Sequence, residues 1–203
     1  MHWGPVRPPE RRKMFIDEKI LIRLMKKAQK GTGVYIGRWD GWYVIGGSYW
    51  KARIAVGCLP RTVAAAFVEL SGAIPQEGEA WTADKEKNQM EAFDIWETTD
   101  RTQSRLYVRP IWLATPGGTP LRVLQGDDGS IFTYPEALVC AAFGPVDTKN
   151  QEENKEGPAW AGDGWAIWHT NHAQWRIQNT YYAELSDIMD LLGEQPLEYA
   201  EVK

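Results

Sequence analysis

The chain has little of what most small enzymes and secreted modules are built from. Its two cysteines, Cys58 and Cys140, lie far apart with no CxxC spacing. That excludes a zinc ribbon and a small disulfide scaffold, and it fits a reducing compartment, the cytoplasm. There are three histidines, and neither cysteine has one at a recognisable spacing. No GxSxG step, no glycine-rich phosphate loop with its lysine and no dinucleotide fingerprint occurs, so acyl-transfer, nucleotide and hydride chemistry all lack their usual residues. No apolar run reaches the ~18 residues of a membrane-spanning helix. The first residues, MHWGPVRPPERRK, lack the apolar centre of a signal peptide. The expectation is a cytoplasmic protein with no cofactor and no membrane partner.

Tryptophan, by contrast, is abundant, at 11 in 203 residues. The stretch GVYIGRWDGWYVIGGSYWKARI, Gly33 to Ile54, carries three Trp, three Tyr and three basic residues. Asp40-Gly41 and Gly46-Gly47 read as two-residue hairpin turns, which makes the stretch a meander. Period-2 alternation then assigns faces. Tyr35, Trp39, Trp42, Val44, Tyr49, Lys51 and Arg53 share one, with Tyr49 opposite Val44 and Lys51 opposite Trp42. Ile36, Tyr43, Ile45, Trp50, Ala52, Ile54 and Val56 share the other, which is nearly free of charge and reads as the core face.

Helical patterns flank this meander. Asp17 caps a helix through about Lys30, ended by Gly31-Thr32-Gly33. Pro60 opens a second, closed by Gly72, whose stripe Val63, Ala66, Phe67 and Leu70 meets the core face. Residues Ala83 to Trp96 read as a short helix. From Arg105 strand patterns return: LYVRPIWLAT, with Pro110 marking an edge or a bulge, then LRVLQ and SIFTY. PEALVCAAF is a third helix, starting at Pro135 and ending before Gly144. GWAIWHTNHAQWRI reads as a hairpin turning at Thr170-Asn171, followed by a helix near Tyr181 to Leu192.

The fold class is therefore α+β, antiparallel hairpins packed with several short helices. Residues 1–13 read as a flexible arm, 14–147 as the main domain, 148–158 as a polar loop or linker, and 159–203 as a hairpin-helix unit packed on the main domain. The pattern DGW followed by RI occurs twice with equal spacing, from Asp40 to Ile54 and from Asp163 to Ile177. Asp-Gly is also the commonest hairpin turn, so the spacing alone does not separate duplication from a reused turn.

Chemistry-bearing clusters are few. With Thr170-Asn171 as the turn, His169 and His172 become cross-strand neighbours that could share a divalent metal, but a catalytic zinc wants a third ligand. Asp127-Asp128 is an acidic pair in a tight turn. Charge is more informative: Met1 to Lys30 holds nine basic residues against three acidic, while Pro75 to Asp100 is net −6 and Glu184 to Lys203 net −5. Acidic surface beside exposed aromatics suits docking on a protein with a basic surface, such as a nucleic-acid-handling complex. Glu77, Glu79, Asp84 and Glu86, with Trp39, Trp42, Tyr49, Lys51 and Arg53, are the candidate partner-binding residues.

The leading expectation is a non-catalytic interaction protein, of the kind a phage or mobile element uses to inhibit a host nucleic-acid-targeting machine, for example a CRISPR effector. The alternative is direct binding of single-stranded nucleic acid on the aromatic and basic sheet face. A small metal-dependent enzyme built on His169 and His172 is the third.

Overall fold

The structure is a computed structural model describing residues 15–92, 104–143, 159–162, 164–180 and 182–195. Asp17 caps α1 (Glu18–Lys30) by accepting the Ile20 N–H at 2.9 Å. Pro60 precedes α2 (Arg61–Ser71), which Gly72 closes at φ 85. α3 (Glu136–Phe143) follows Pro135, and α4 (Ser186–Gly193) follows a 3-10 turn at Ala183–Leu185. The strands are β1 (Val34–Trp39), β2 (Trp42–Gly47), β3 (Trp50–Ala55), β4 (Ala80–Ala83), β5 (Gln89–Glu91), β6 (Ser104–Ala114), β7 (Pro120–Gly126), β8 (Ile131–Pro135), β9 (Ala159–Gly162), β10 (Trp165–His169) and β11 (Ala173–Gln178). All eleven form one antiparallel sheet in the order β5-β4-β1-β2-β3-β11-β10-β9-β6-β7-β8. The α+β class holds. The arm 1–13 and the linker 148–158 lie outside the described residues.

Three local expectations need correction. Asp40-Gly41 does form the first turn, at φ 48 and 76, the two positive values that a tight primed turn needs. The second hairpin is longer than its sequence suggests. It turns at Ser48-Tyr49, with Gly47 opposite Trp50, and Lys51 opposite Gly46 instead of Trp42. A Cβ on Gly47 would lie 2.6 Å from Trp50 Nε1, so this glycine admits an indole and does not make the turn. Likewise β10 and β11 turn at Asn171-His172, with His169 opposite Gln174. Finally, Ala83 to Trp96 does not begin as a helix: Ala80–Glu91 is the β4–β5 hairpin. Asp84 turns it by accepting the backbone N–H groups of Glu86 and Asn88 at 2.9 Å each. Pro110 sits at a bulge in β6 between Val108 and Trp112, beyond the Ser104–Leu106 segment that pairs with β9.

The repeated DGW and RI spacing marks a structural repeat. Shifting by 123 positions carries Trp42 to Trp165 and reproduces the pairing of β1-β2-β3 in β9-β10-β11. Trp39 opposite Trp42 becomes Gly162 opposite Trp165, and Tyr43 opposite Ile54 becomes Ala166 opposite Ile177. The Val56 N–H to Gly41 carbonyl bond recurs as Asn179 to Gly164. Each unit is preceded and followed by a helix. The units join through β3 and β11 about a pseudo-two-fold axis normal to the sheet at the pair Ala52 and Trp175, which are each other's images. The linking bonds obey the same symmetry: Ala55 N–H to His172 carbonyl answers Gln178 N–H to Tyr49 carbonyl.

α1, α2 and α3 cover one face of the sheet. Tyr43, Trp50, Ile54, Phe67 and Leu70 share one core, with Val56 packed at its margin, as the alternation implies. Gln29 Nε2 ties α1 to the Leu70 carbonyl of α2 at 2.6 Å, and the Asp17 N–H ties α1 to the Ala141 carbonyl of α3 at 2.8 Å. At the axis the rings of Trp50 and Trp175 stack at 5.3 Å and 24°, and Trp175 Nε1 donates to the Leu138 carbonyl of α3 at 3.0 Å. Trp175→Ala should therefore cost ~3–5 kcal/mol. Combined with Trp50→Ala it should cost measurably less than the two single losses added, because the rings touch. Urea unfolding of the cycle is the check.

At the other end Arg122, only 4% exposed, makes a two-pronged pair with Glu136 at the start of α3, at 2.7 and 2.6 Å. Burial pushes the Glu136 carboxyl up, but the hydrogen bonds and charge of Arg122 outweigh it and hold the group below its usual range. A depressed folded pKa contributes stability that is complete above the unfolded value, ~4.3, and is lost as pH falls through the folded value. Glu136→Gln should lower stability at pH 7 toward the lower end of ~3–5 kcal/mol. Its deficit against the parent should shrink as the pH is taken below about 4, read from urea titrations across pH.

Candidate functional site

The strands segregate charge. Arg38, Lys51, Arg53, Arg105, Arg109, Arg122 and Arg176 lie within described strands, whereas the one carboxylate there is Glu91. Arg38 and Arg122 belong to the helix-covered face, where Arg38 Nε lies 3.2 Å from Glu77 and Arg122 pairs with Glu136. The other five share the opposite face, to which no described strand contributes a carboxylate. The protein as a whole is net −4, so this face is a local inversion of its charge.

Register builds that face residue by residue. One row, perpendicular to the strands, runs Tyr35, Gly46, Lys51, Arg176, Ile167, Trp160, Arg105. Four strand spacings separate Lys51 from Arg105, about 19 Å. The neighbouring row carries Val44, Arg53, Gln174 and His169. Cations stand over tryptophans along these rows. Arg53 lies 4.5 Å from the Trp42 ring, Lys51 5.7 Å from Trp165, and Arg105 5.4 Å from Trp160 and 6.0 Å from Tyr107. Each aromatic face is thereby held beside a charge at cation–π distance. Lys51, Arg53, Trp42, Trp160 and Trp165 are half-buried, Arg105 is exposed, and Arg176 is buried with Nε 3.2 Å from Gln174 Oε1. Trp39, at 48% exposed, pairs with Trp42 at one end of the face.

Of the residues singled out from sequence, Trp39, Trp42, Lys51 and Arg53 come together. Tyr49 sits in the β2–β3 turn, its carbonyl bonded to the Gln178 N–H, and is 57% exposed. The four acidic residues flank β4: Glu77 and Glu79 precede it, Asp84 and Glu86 follow it. Each has a local partner, respectively Arg38, the Gln76 N–H, Asn88 and Lys85. Trp160, Trp165 and Arg105 complete the face but were missing from the sequence set. The repeat held the signal, because it maps Trp42 onto Trp165.

The remaining polar features carry less. Asp128 caps its own turn through the Ser130 N–H, and its carboxyl is held low by hydrogen bonds from Ser130. An open depression of about 350 Å³ lies between that turn and α4, lined by Ile131, Met189, Asp190 and Glu194 among others. Cys140 donates to Glu136 at 3.4 Å, and burial lifts its thiol to about 11, away from thiolate chemistry. Among the described residues no group of three His, Cys, Asp or Glu could hold a metal, and no helix is long and apolar enough to cross a membrane. No protein-family model matches the chain, and no curated protein matches its sequence.

The β10–β11 register places Gln174, not His172, opposite His169. Zinc or nickel should then leave the melting temperature unchanged. Site occupancy at 100 times the dissociation constant would add ~2.7 kcal/mol, so a zinc-dependent rise abolished by His169→Ala would restore the metal reading.

Proposed function

We propose that the sheet face opposite α1, α2 and α3 binds single-stranded nucleic acid. The observation that carries this reading is the row of Trp–cation pairs, Trp42 with Arg53, Trp165 with Lys51 and Trp160 with Arg105, on strands that bring no carboxylate to that face. Unpaired bases offer flat π-faces that stack on aromatic side chains whatever the sequence, while the backbone needs a cation track. A duplex hides its base faces, so the tryptophans favour a single strand. The sheet supplies both in alternation, and at a breadth suited to several nucleotides. Glu77, Glu79, Asp84 and Glu86 are each engaged locally beside β4, near the edge of the sheet, which makes them a weaker candidate for the contact surface.

The docking of Glu77, Glu79, Asp84 and Glu86 on a basic protein, the setting of a phage inhibitor of a nucleic-acid-targeting machine, is the competing outcome of the same test. In fluorescence anisotropy with a labelled oligothymidylate of about twelve nucleotides, Trp42→Ala should weaken binding toward the upper end of ~1–3 kcal/mol. Lys51→Gln with Arg53→Gln should flatten the slope of log affinity against log salt by about 0.7 for each phosphate contact removed. Reversing the four acidic residues to Lys should leave both intact or strengthen binding. No oligonucleotide binding at low salt would discard the nucleic-acid reading.

A further inference from the structure

The pseudo-two-fold axis at Ala52 and Trp175 acts on the aromatic face as well as on the core. It carries Trp42 to Trp165, Val44 to Ile167 and Arg53 to Arg176. Because an axis normal to the sheet returns each face to itself, the two tryptophans are equivalent positions on one surface, on opposite sides of the seam. Their cations are not identical. Arg53 stands over Trp42, whereas its image Arg176 is buried against Gln174, and Lys51 reaches across the seam to stand over Trp165. The second half thus rebuilds an aromatic–cation pair with a different cation.

We infer that the face is a bipartite site: two stacking stations, Trp42/Arg53 and Trp165/Lys51, that engage one strand at two separated nucleotides. This rests on the nucleic-acid reading above. Three strand spacings across the sheet and six residues along it separate the two tryptophans, about 14 Å by about 20 Å, or about 25 Å on the diagonal. Arg53 and Lys51 lie between them. A nucleotide bound at one station therefore cannot touch the other, and only an oligomer long enough to bridge them uses both. Bridging converts the second contact into an intramolecular one, which raises affinity by ~10²–10⁴ over a single station.

The test compares oligothymidylates of about three and about twelve nucleotides, lengths that straddle the lower part of the ~4–16 nucleotide range of single-strand sites. With the full chain, the longer probe should bind at least ~100-fold tighter. Trp42→Ala and Trp165→Ala should each bring the long probe close to the affinity of the short one. Neither should change the short probe by more than about two-fold, because one of two equivalent stations survives. Arg53→Gln and Lys51→Gln repeat the comparison without removing a ring, in case a tryptophan variant fails to fold. Equal affinities per nucleotide for the two probes, or loss of all binding in one tryptophan variant with none in the other, would overturn the bipartite site while leaving the nucleic-acid reading in place. Failure of both probes to bind would remove the reading itself.

Discussion

The seam between β3 and β11 is the contact on which the rest of the molecule depends. Among the described residues it is the one place where the two helix-flanked, three-stranded units are joined by a strand pair, and the stacked Trp50 and Trp175 rings close it on the helix side. Ala52 opposite Trp175 leaves room for the larger ring, and Trp175 Nε1 finds the Leu138 carbonyl, so a bulky indole is buried with its donor satisfied. A strand pair formed between segments more than a hundred residues apart closes a long loop, and its entropy must be offset by burial at the join. Two tryptophans stacked against one another supply much of that burial.

From this seam follows the division of labour between the two faces. Every buried indole stacked on the axis lies on the helix side. The opposite side of the same strands is left to residues that share the period-2 alternation but carry charge. A cation with a long apolar stem can lie along a sheet and cover a neighbouring ring, which a short carboxylate cannot do as well. Lys51, Arg53 and Arg105 do this for Trp165, Trp42 and Trp160. The carboxylates are correspondingly pushed into turns and helices, such as Asp84 and Asp128 in their turns and Glu136 at the start of α3, where backbone N–H groups or a guanidinium receive them. The net negative charge of the chain and a cationic sheet face are thus compatible results of one alternation.

That alternation is also why the faces were legible in the sequence while the pairings were not. Gly46-Gly47 and Thr170-Asn171 both looked like turns, and both hairpins turn further along, displacing the register by an even number of residues. An even slip changes the cross-strand neighbour and keeps the face, so Trp42, Lys51 and Arg53 stayed together, whereas His169 and His172 lost their pairing. The helix caps at Asp17, Pro60 and Gly72 were legible because each states a local backbone requirement. The β4–β5 hairpin was not, because Asp84 and Asn88 form a side-chain turn that outweighs the helix propensity of the surrounding Lys and Glu. Strand order was beyond reach altogether. Nothing local in residues 159–178 says that they occupy the middle of the sheet.

The symmetry fails at the last helix, and the failure has a consequence for the open face. α2 packs on the helix side, with Phe67 against Tyr43. α4, which follows β11 as α2 follows β3, instead packs against β8. The chain on either side of it crosses to the other face. The Gln195 carbonyl accepts from Gln125 at 3.0 Å, the Thr180 carbonyl from Thr133 at 3.4 Å, and Gln125 and Thr133 both share the side of Tyr107 and Arg109. Leu121, Val123, Gln125 and Thr133 are buried on that side. The bonds from Gln125 and Thr133 thus hold the chain flanking α4 over this end of the second face. Along the span from Trp39 to Arg105, Trp42, Lys51, Arg53, Trp160 and Trp165 keep partial exposure around the buried Val44, Ile167 and Arg176.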